Sequence, residues 1–326
     1  MRRIVALAAF AFALFAGLAA AQGPGEWKPS RAIDIVVGSA PGGSPDRTAR
    51  LVQRILQTNP VFPSITVDNR PGGGNTVAWA FMAQHAGDAH YIATYSPTLI
   101  TNRIMGTSPL NYADFTALNI LFREYVVVAV RTESAIASGK DLIERLKRDA
   151  TAVSFCFATA RGNHNHIALG MVLKAAGADP KKAKMVINNS GGESLTMALG
   201  GHVDVLASTP AGVLSTVQSG KLRVLGVTSP QRLPQMPNVP TFREQGIDAV
   251  FFAWRGFIAP KGLTAAQIAF WDQTFAKLVQ ADEWKKDVDA NVWTESFMAS
   301  AETRKHLDHE NEVTKAMLVE LGVASK

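Results

Sequence analysis

The feature that most constrains this chain is a repeated change of period along it. Short β-branched runs give way to stretches with apolar residues at helical spacing, and glycine-bearing turns join the two. Ile33-Asp34-Ile35-Val36-Val37, bounded by Gly38 and Pro41, reads as a buried strand. Over residues 45–57 the spacing becomes helical: Ala49, Val52, Ile55 and Leu56 share a face, with Arg47, Arg50 and Arg54 away from it. Ser44 suits the cap of that helix and Pro45 its first position. The scheme repeats with strands at 65–67 and 90–94, a helix at 76–84, and the segment after Pro97. It resumes beyond a long apolar stretch, 118–130. Helices at 141–148, 167–176, 193–199 and 211–218 there alternate with strands at 152–158, 184–187, 203–207 and 222–228. Three prolines in 229–239 mark a connector. A strand-like run follows at 250–258, and 264–322 reads as mostly helical, with Ile268, Trp271, Phe275, Leu278 and Val279 as a core-facing stripe. Repeated strand–helix units imply open, largely parallel sheets with helices on both faces. Two such blocks imply an α/β protein of two doubly wound domains.

Length and composition agree with that outline. A chain of 326 residues, 47% hydrophobic and 18% charged, buries a sizeable core and is neither disordered nor fibrous. Cys156 is the single cysteine, so an internal disulfide and a multi-cysteine metal site are excluded. It sits in the apolar run 153–157 and reads as a buried, inert thiol. The formal net charge of +6 suits anions, but without a localised basic patch no nucleic-acid partner is expected. Met1-Arg2-Arg3, an uncharged apolar run over 4–18 and Ala19-Ala20-Ala21 form a secretory signal peptide, residues 1–21. The run is short for a membrane span, so the mature chain is expected to be soluble outside the cytoplasm, in the periplasm. Cytosolic nucleotides are scarce there, which disfavours an enzyme that needs ATP or NAD.

Four strand-to-helix turns carry the polar chemistry. They are Ala40-Pro41-Gly42-Gly43-Ser44-Pro45-Asp46, the segment 68–75 with three glycines, Ala160-Arg161-Gly162-Asn163-His164-Asn165-His166, and Asn188-Asn189-Ser190-Gly191-Gly192. Glycine lets backbone approach a ligand, and a helix amino terminus offers unpaired N–H groups at the positive end of its dipole. In open α/β sheets such loops lie outside the carboxyl ends of the strands, where ligands bind. Together they imply a polar cleft that receives anions. Asp46 belongs to the first loop but would repel an anion at close range, so ordering the loop suits it better than direct contact. His164 and His166 have no acidic or cysteine neighbours to complete a metal site, and read as hydrogen-bonding loop residues; no metal and no cofactor are expected. The chain has no G-x-S-x-G elbow, no phosphate-binding P-loop, no H-E-x-x-H and no G-x-G-x-x-G between a strand and a helix. An enzyme is therefore not expected.

Four stretches resemble a known family. They are I-V-V-G-S-A-P-G-G-S-P-D-R-T-A-R at 35–50, V-D-N-R-P-G-G-G-N at 67–75, L-G-G-H-V-D at 199–204 with S-G-K-L-R-V-L-G-V-T-S at 219–229, and M-P-N-V-P-T at 236–241 with W-R-G-F-I-A-P at 254–260. With these the sequence resembles the Bug/TctC family, the extracytoplasmic solute receptors of tripartite tricarboxylate transporters, from about Trp27 to Gly322. The resemblance implies a type II periplasmic-binding-protein fold with a ligand cleft between two domains and crossings near 124–128 and 229–250. The domains would be 22–126 with 248–326, and 127–247. It implies ligand-binding roles for Ala40, Pro41, Gly42 and Gly43, with Asp46 beside them. The same holds for Tyr95, Ser96 and Thr98, and for Gly162, Asn163, His164, Asn165 and His166. Ser208 stands where the family often has aspartate, and Arg255 where it usually has tyrosine. Loss of an acid and gain of a base favour a second carboxylate over an ammonium, because arginine binds carboxylate bidentately. The resulting expectation is a monomeric receptor that clamps a di- or tricarboxylate, or an aromatic acid, and delivers it to membrane permease subunits. A secreted small-molecule hydrolase and a receptor used for sensing are the alternatives.

Overall fold

The computed structural model of the chain describes residues 26–158, 160–320 and 324. The expected leader, 1–21, lies outside the described residues. The first lobe is laid down by β1 (Ile33–Val37), α1 (Ser44–Gln57), β2 (Ile65–Asn69), α2 (Thr76–Ala83), β3 (Tyr91–Tyr95), α3 (Thr98–Ile104) and β4 (Phe115–Tyr125). The second follows as β5 (Val127–Arg131), α4 (Gly139–Arg148), β6 (Ser154–Ala158), α5 (His164–Ala175), β7 (Lys184–Asn188), α6 (Gly191–Leu199), β8 (Val205–Ser208), α7 (Pro210–Gln218) and β9 (Leu222–Val227). The chain then returns to the first lobe as β10 (Phe252–Pro260), α8 (Ala265–Leu278), α9 (Asp282–Ala290), β11 (Thr294–Met298) and α10 (Ser300–Glu320).

Two sheets result, a six-stranded one ordered β11-β4-β10-β3-β1-β2 and a five-stranded one ordered β7-β6-β8-β5-β9. Both are mixed, which corrects the expectation of largely parallel sheets. The strand–helix–strand units do pair in parallel, β1 with β2 and β3, and β6 with β7 and β8. The strands that carry the chain between lobes run the other way: β10 is antiparallel to β3 and β4, and β5 to β8 and β9. They join each sheet from the neighbouring lobe rather than over a crossover helix, so nothing enforces the parallel sense.

The apolar stretch 118–130 spans two strands, the end of β4 and most of β5. At Val126 the hydrogen-bonding partner changes from β10 in one sheet to β9 in the other. The crossing is tied at three points: Val126 N–H donates to Thr228 Oγ1 (2.9 Å), Thr228 N–H donates to Val126 O (2.9 Å), and Thr228 Oγ1 donates to Phe251 O (2.7 Å). Two further expectations change. Residues 294–298 form β11 inside the supposedly helical tail; this half-exposed edge strand pairs only with β4 and lacks a buried alternation. Ser44 does not cap α1, because Gly43 is the cap residue and the Ser44 hydroxyl donates to Glu124 instead (2.9 Å).

Each lobe has its own core. Trp271, Phe275, Leu278 and Val279 of the expected stripe pack on Ile33, Ile35 and Phe122 in the first, and Phe155, Phe157, Leu169 and Val205 anchor the second. Burying side chains of this size contributes roughly 1.5–3 kcal/mol each. Strand contact in the first lobe is tight enough that a Cβ on Gly256 would lie 2.0 Å from Asn119 O.

Candidate functional site

The carboxyl ends of β1, β3, β6 and β8 face one another across the gap between the sheets, and a cavity of about 170 Å³ lies there. Helices α1, α5, α6 and α7 all present their amino termini to it through Gly43, His164, Gly191 and Thr209. These ends are not equivalent. Asn163 caps α5 by accepting from His166 N–H, Ser190 caps α6 by accepting from Glu193 N–H, and Thr209 caps α7 by accepting from Gly212 N–H. Helix α1 has glycine at its cap and no side-chain cap bond, so its first N–H groups are left for another acceptor.

Among the described residues no aspartate or glutamate lines the cavity, whereas Arg47 and Arg255 do. Arg47 Nη1 donates to Gly42 O (2.8 Å), and its Nε is buried without a partner. Ser39 Oγ, His164 Nδ1 and Asn165 Oδ1, all on cavity-lining residues, are likewise buried and unpartnered. Leaving a buried polar group unpaired costs about 1–3 kcal/mol, so these atoms favour a polar solute.

Of the residues singled out in the sequence, Ala40, Gly42, Gly43, Ser96, Thr98, His164, Asn165, Ser208 and Arg255 meet on the cavity wall. The others stand behind it. Pro41 is exposed on the loop. Asp46 accepts from Gly42 N–H (2.9 Å), Arg50 Nε (3.0 Å) and Asn69 Nδ2 (3.0 Å). Burial pushes its carboxyl up, but the hydrogen bonds from Arg50, Gly42 and Asn69 outweigh that and hold it below its ordinary value. It braces the first loop, whose Gly42 has φ +84°. Tyr95 is buried and donates to Asn119 O (3.1 Å). Gly162, Asn163 and His166 close the start of α5: His166 Nδ1 accepts from Gly162 N–H (2.8 Å) and its ring stacks on Phe157. Burial, helped by the Arg161 charge, lowers the His166 pKa to about 4.

Arg255 departs most from expectation. Instead of offering its fork to a second carboxylate, it donates through Nε (3.0 Å) and Nη2 (2.9 Å) to Glu124, which has no exposed surface. A carboxylate so buried needs a counter-charge, and Arg255 is committed to it. Sequence reasoning also left Ser39, Arg47, Asn75, Ser190 and Thr209 unassigned, and these line the cavity too. Asn75 and Ser190 belong to two of the glycine-bearing turns of the sequence. Arg47 looked like a solvent-facing base of an amphipathic helix.

The sequence profile described as "Tripartite tricarboxylate transporter family receptor" matches residues 49–323. Protein BugT of Bordetella pertussis is 28% identical over 267 residues, covering 80% of each chain. Two solved structures share the fold. A Rhodopseudomonas palustris protein with adipate superposes with a TM-score of 0.84 at 21% identity, over 91% of this chain and 99% of its own. MatC of Rhodopseudomonas palustris, with bound malate, gives a TM-score of 0.78 at 20% identity, over 89% and 99%.

Proposed function

Since the chain belongs to the tripartite tricarboxylate transporter receptor family, we propose that it captures a small carboxylate between its lobes and hands it to membrane permease subunits. In this reading residues 22–126 and 248–326 make one lobe and 127–247 the other. The chain acts as a monomer in the periplasm, reached through the leader 1–21. No bond of the solute is made or broken.

The observation that carries this reading is the lobe-one wall. The uncapped amino terminus of α1, Ala40, Gly42, Gly43 and Arg47 line the cavity, and no carboxylate of the described residues lines it with them; Asp46 occupies the Gly42 N–H from behind. An anion there gains N–H donors and a positive dipole end, a pairing worth about 0.3–2 kcal/mol from the dipole alone. Asn165, Ser190, Ser208 and Thr209 reach the solute from lobe two. Contacts to both lobes exist together only when the cleft is shut, so the solute shifts the hinge equilibrium towards closure. The adipate and malate of the two R. palustris proteins support a dicarboxylate as the solute.

Mass spectrometry of solute released from the purified chain, followed by calorimetry with malate, adipate, benzoate and an amino-acid set, tests the reading. A carboxylate bound tightly and recovered unchanged is the expected result. Conversion of the solute, or tight binding of amino acids alone, would overturn it.

A further inference from the structure

A buried chain of hydrogen bonds runs from lobe one into lobe two beside the cavity. It begins at Glu124 near the end of β4, which accepts from the Ser44 hydroxyl of α1 (2.9 Å) and from Arg255 of β10. The same Arg255 Nη2 that bonds Glu124 lies 3.2 Å from Nε2 of His164, the first residue of α5 in the opposite lobe. A guanidinium nitrogen only donates, so Nε2 is the acceptor, and a neutral imidazole that accepts at Nε2 carries its proton on Nδ1. That Nδ1 is buried and has no partner among the described residues, although His164 lines the cavity and is only 7% exposed.

From this juxtaposition we propose that Arg255, anchored by Glu124, is an interlobe positioning residue: it reaches across the cleft, fixes His164 as the Nδ1–H tautomer, and so readies that N–H as a donor to the captured solute. The proposal rests on the carboxylate-capture reading and adds to it a specific link between closure and recognition. Arg255 is on β10 of the six-stranded sheet and His164 opens α5, the helix after β6 of the five-stranded one, so their contact lasts only while the lobes stay together. When they part, nothing holds the proton at Nδ1. The solute's oxygen would then complete an otherwise costly unpaired donor, and it finds that donor formed only in the shut cleft. Burial and the neighbouring Arg255 charge both disfavour the imidazolium, which keeps the ring in the neutral form that the relay requires.

Long-range proton–nitrogen correlation spectra of the ¹⁵N-histidine-labelled full chain at neutral pH test this. The spectra are recorded alone and with malate, adipate or benzoate, His164 being assigned by its loss in His164→Gln. The expected spectrum shows His164 as Nδ1–H, with the Nδ1 proton moving downfield when an acid binds. Arg255→Met should move the ring towards Nε2–H and weaken binding about tenfold, the scale of one charge-assisted hydrogen bond; Arg255→Lys, which keeps a donor, should recover part. An Nε2–H or doubly protonated ring in the wild type, or an Arg255→Met tautomer identical to the wild type, would overturn the proposal. If Arg255→Met does not fold, the wild-type spectrum and Glu124→Gln, which loosens the anchor, decide it. An Arg255-dependent Nδ1–H ring in a chain that binds none of the three acids upholds the relay and counts against carboxylate capture. Tight binding with an Nε2–H ring does the reverse.

Discussion

At the residue scale, two neighbouring histidines that look alike in sequence have different work. His164 faces the cleft, while His166 accepts from Gly162 N–H and stacks on Phe157 behind it. His166 therefore belongs to stability, and its sign is fixed by its pKa of about 4. Above the unfolded value of about 6.5 both states are neutral, but between there and about 4 only the unfolded chain takes up the proton. Stability then drops as pH falls through that window, by on the order of 3 kcal/mol for this group, and levels off below it. Urea unfolding from pH 7 to 4 should show this slope in the wild type and a shallower one in His166→Gln. Equal slopes would assign the acid sensitivity elsewhere. Nothing in the local sequence separates the two rings, because the difference lies in which side of the α5 start each one meets.

At the element scale, α1 is built to leave its first turn unfinished. Gly43→Ser would supply the missing cap. A Cβ there meets only ordinary contacts, with Ser39 Oγ at 3.5 Å the nearest, so the fold should accept it. Stability should rise by a few tenths of a kcal/mol, while carboxylate affinity falls several-fold because the serine oxygen competes for the same N–H groups. Thermal melts alongside calorimetry check the pair of effects, and unchanged affinity would mean that the solute does not use this terminus. The β10–β4 pairing makes the opposite demand. Gly256→Ala puts a methyl 2.0 Å from Asn119 O, where the atoms it meets are backbone and cannot swing aside, and should cost about 3 kcal/mol or more in chemical denaturation. The glycine turns were legible from the sequence as approach points. Gly256 was not, since an unremarkable φ and a strand context hide the close contact made by a distant segment.

At the scale of the whole molecule, the crossing between the lobes is tied by Val126, Thr228 and Phe251, and the proposed closure would turn on it. Thr228→Val keeps the shape but removes the hydroxyl that both accepts from Val126 N–H and donates to Phe251 O. Two groups lose their partner, which should lower stability by roughly 2 kcal/mol and loosen the hinge. Small-angle scattering should then show a larger radius of gyration without solute and a larger contraction on adding the bound acid; identical curves to the wild type would remove the tie from the hinge. The sequence by itself determined the α/β class, the two strand–helix blocks and the loops at the strand ends. Those follow from periodicity and turn chemistry within a few residues of each other. Only the tertiary structure decided that the sheets are mixed, that Ser44 and Arg255 serve Glu124 rather than a helix cap or a second carboxylate, and that Arg255 reaches His164. Glu124 and Arg255 are 131 residues apart along the chain. A charge reads in sequence as free until the fold shows what has been buried against it.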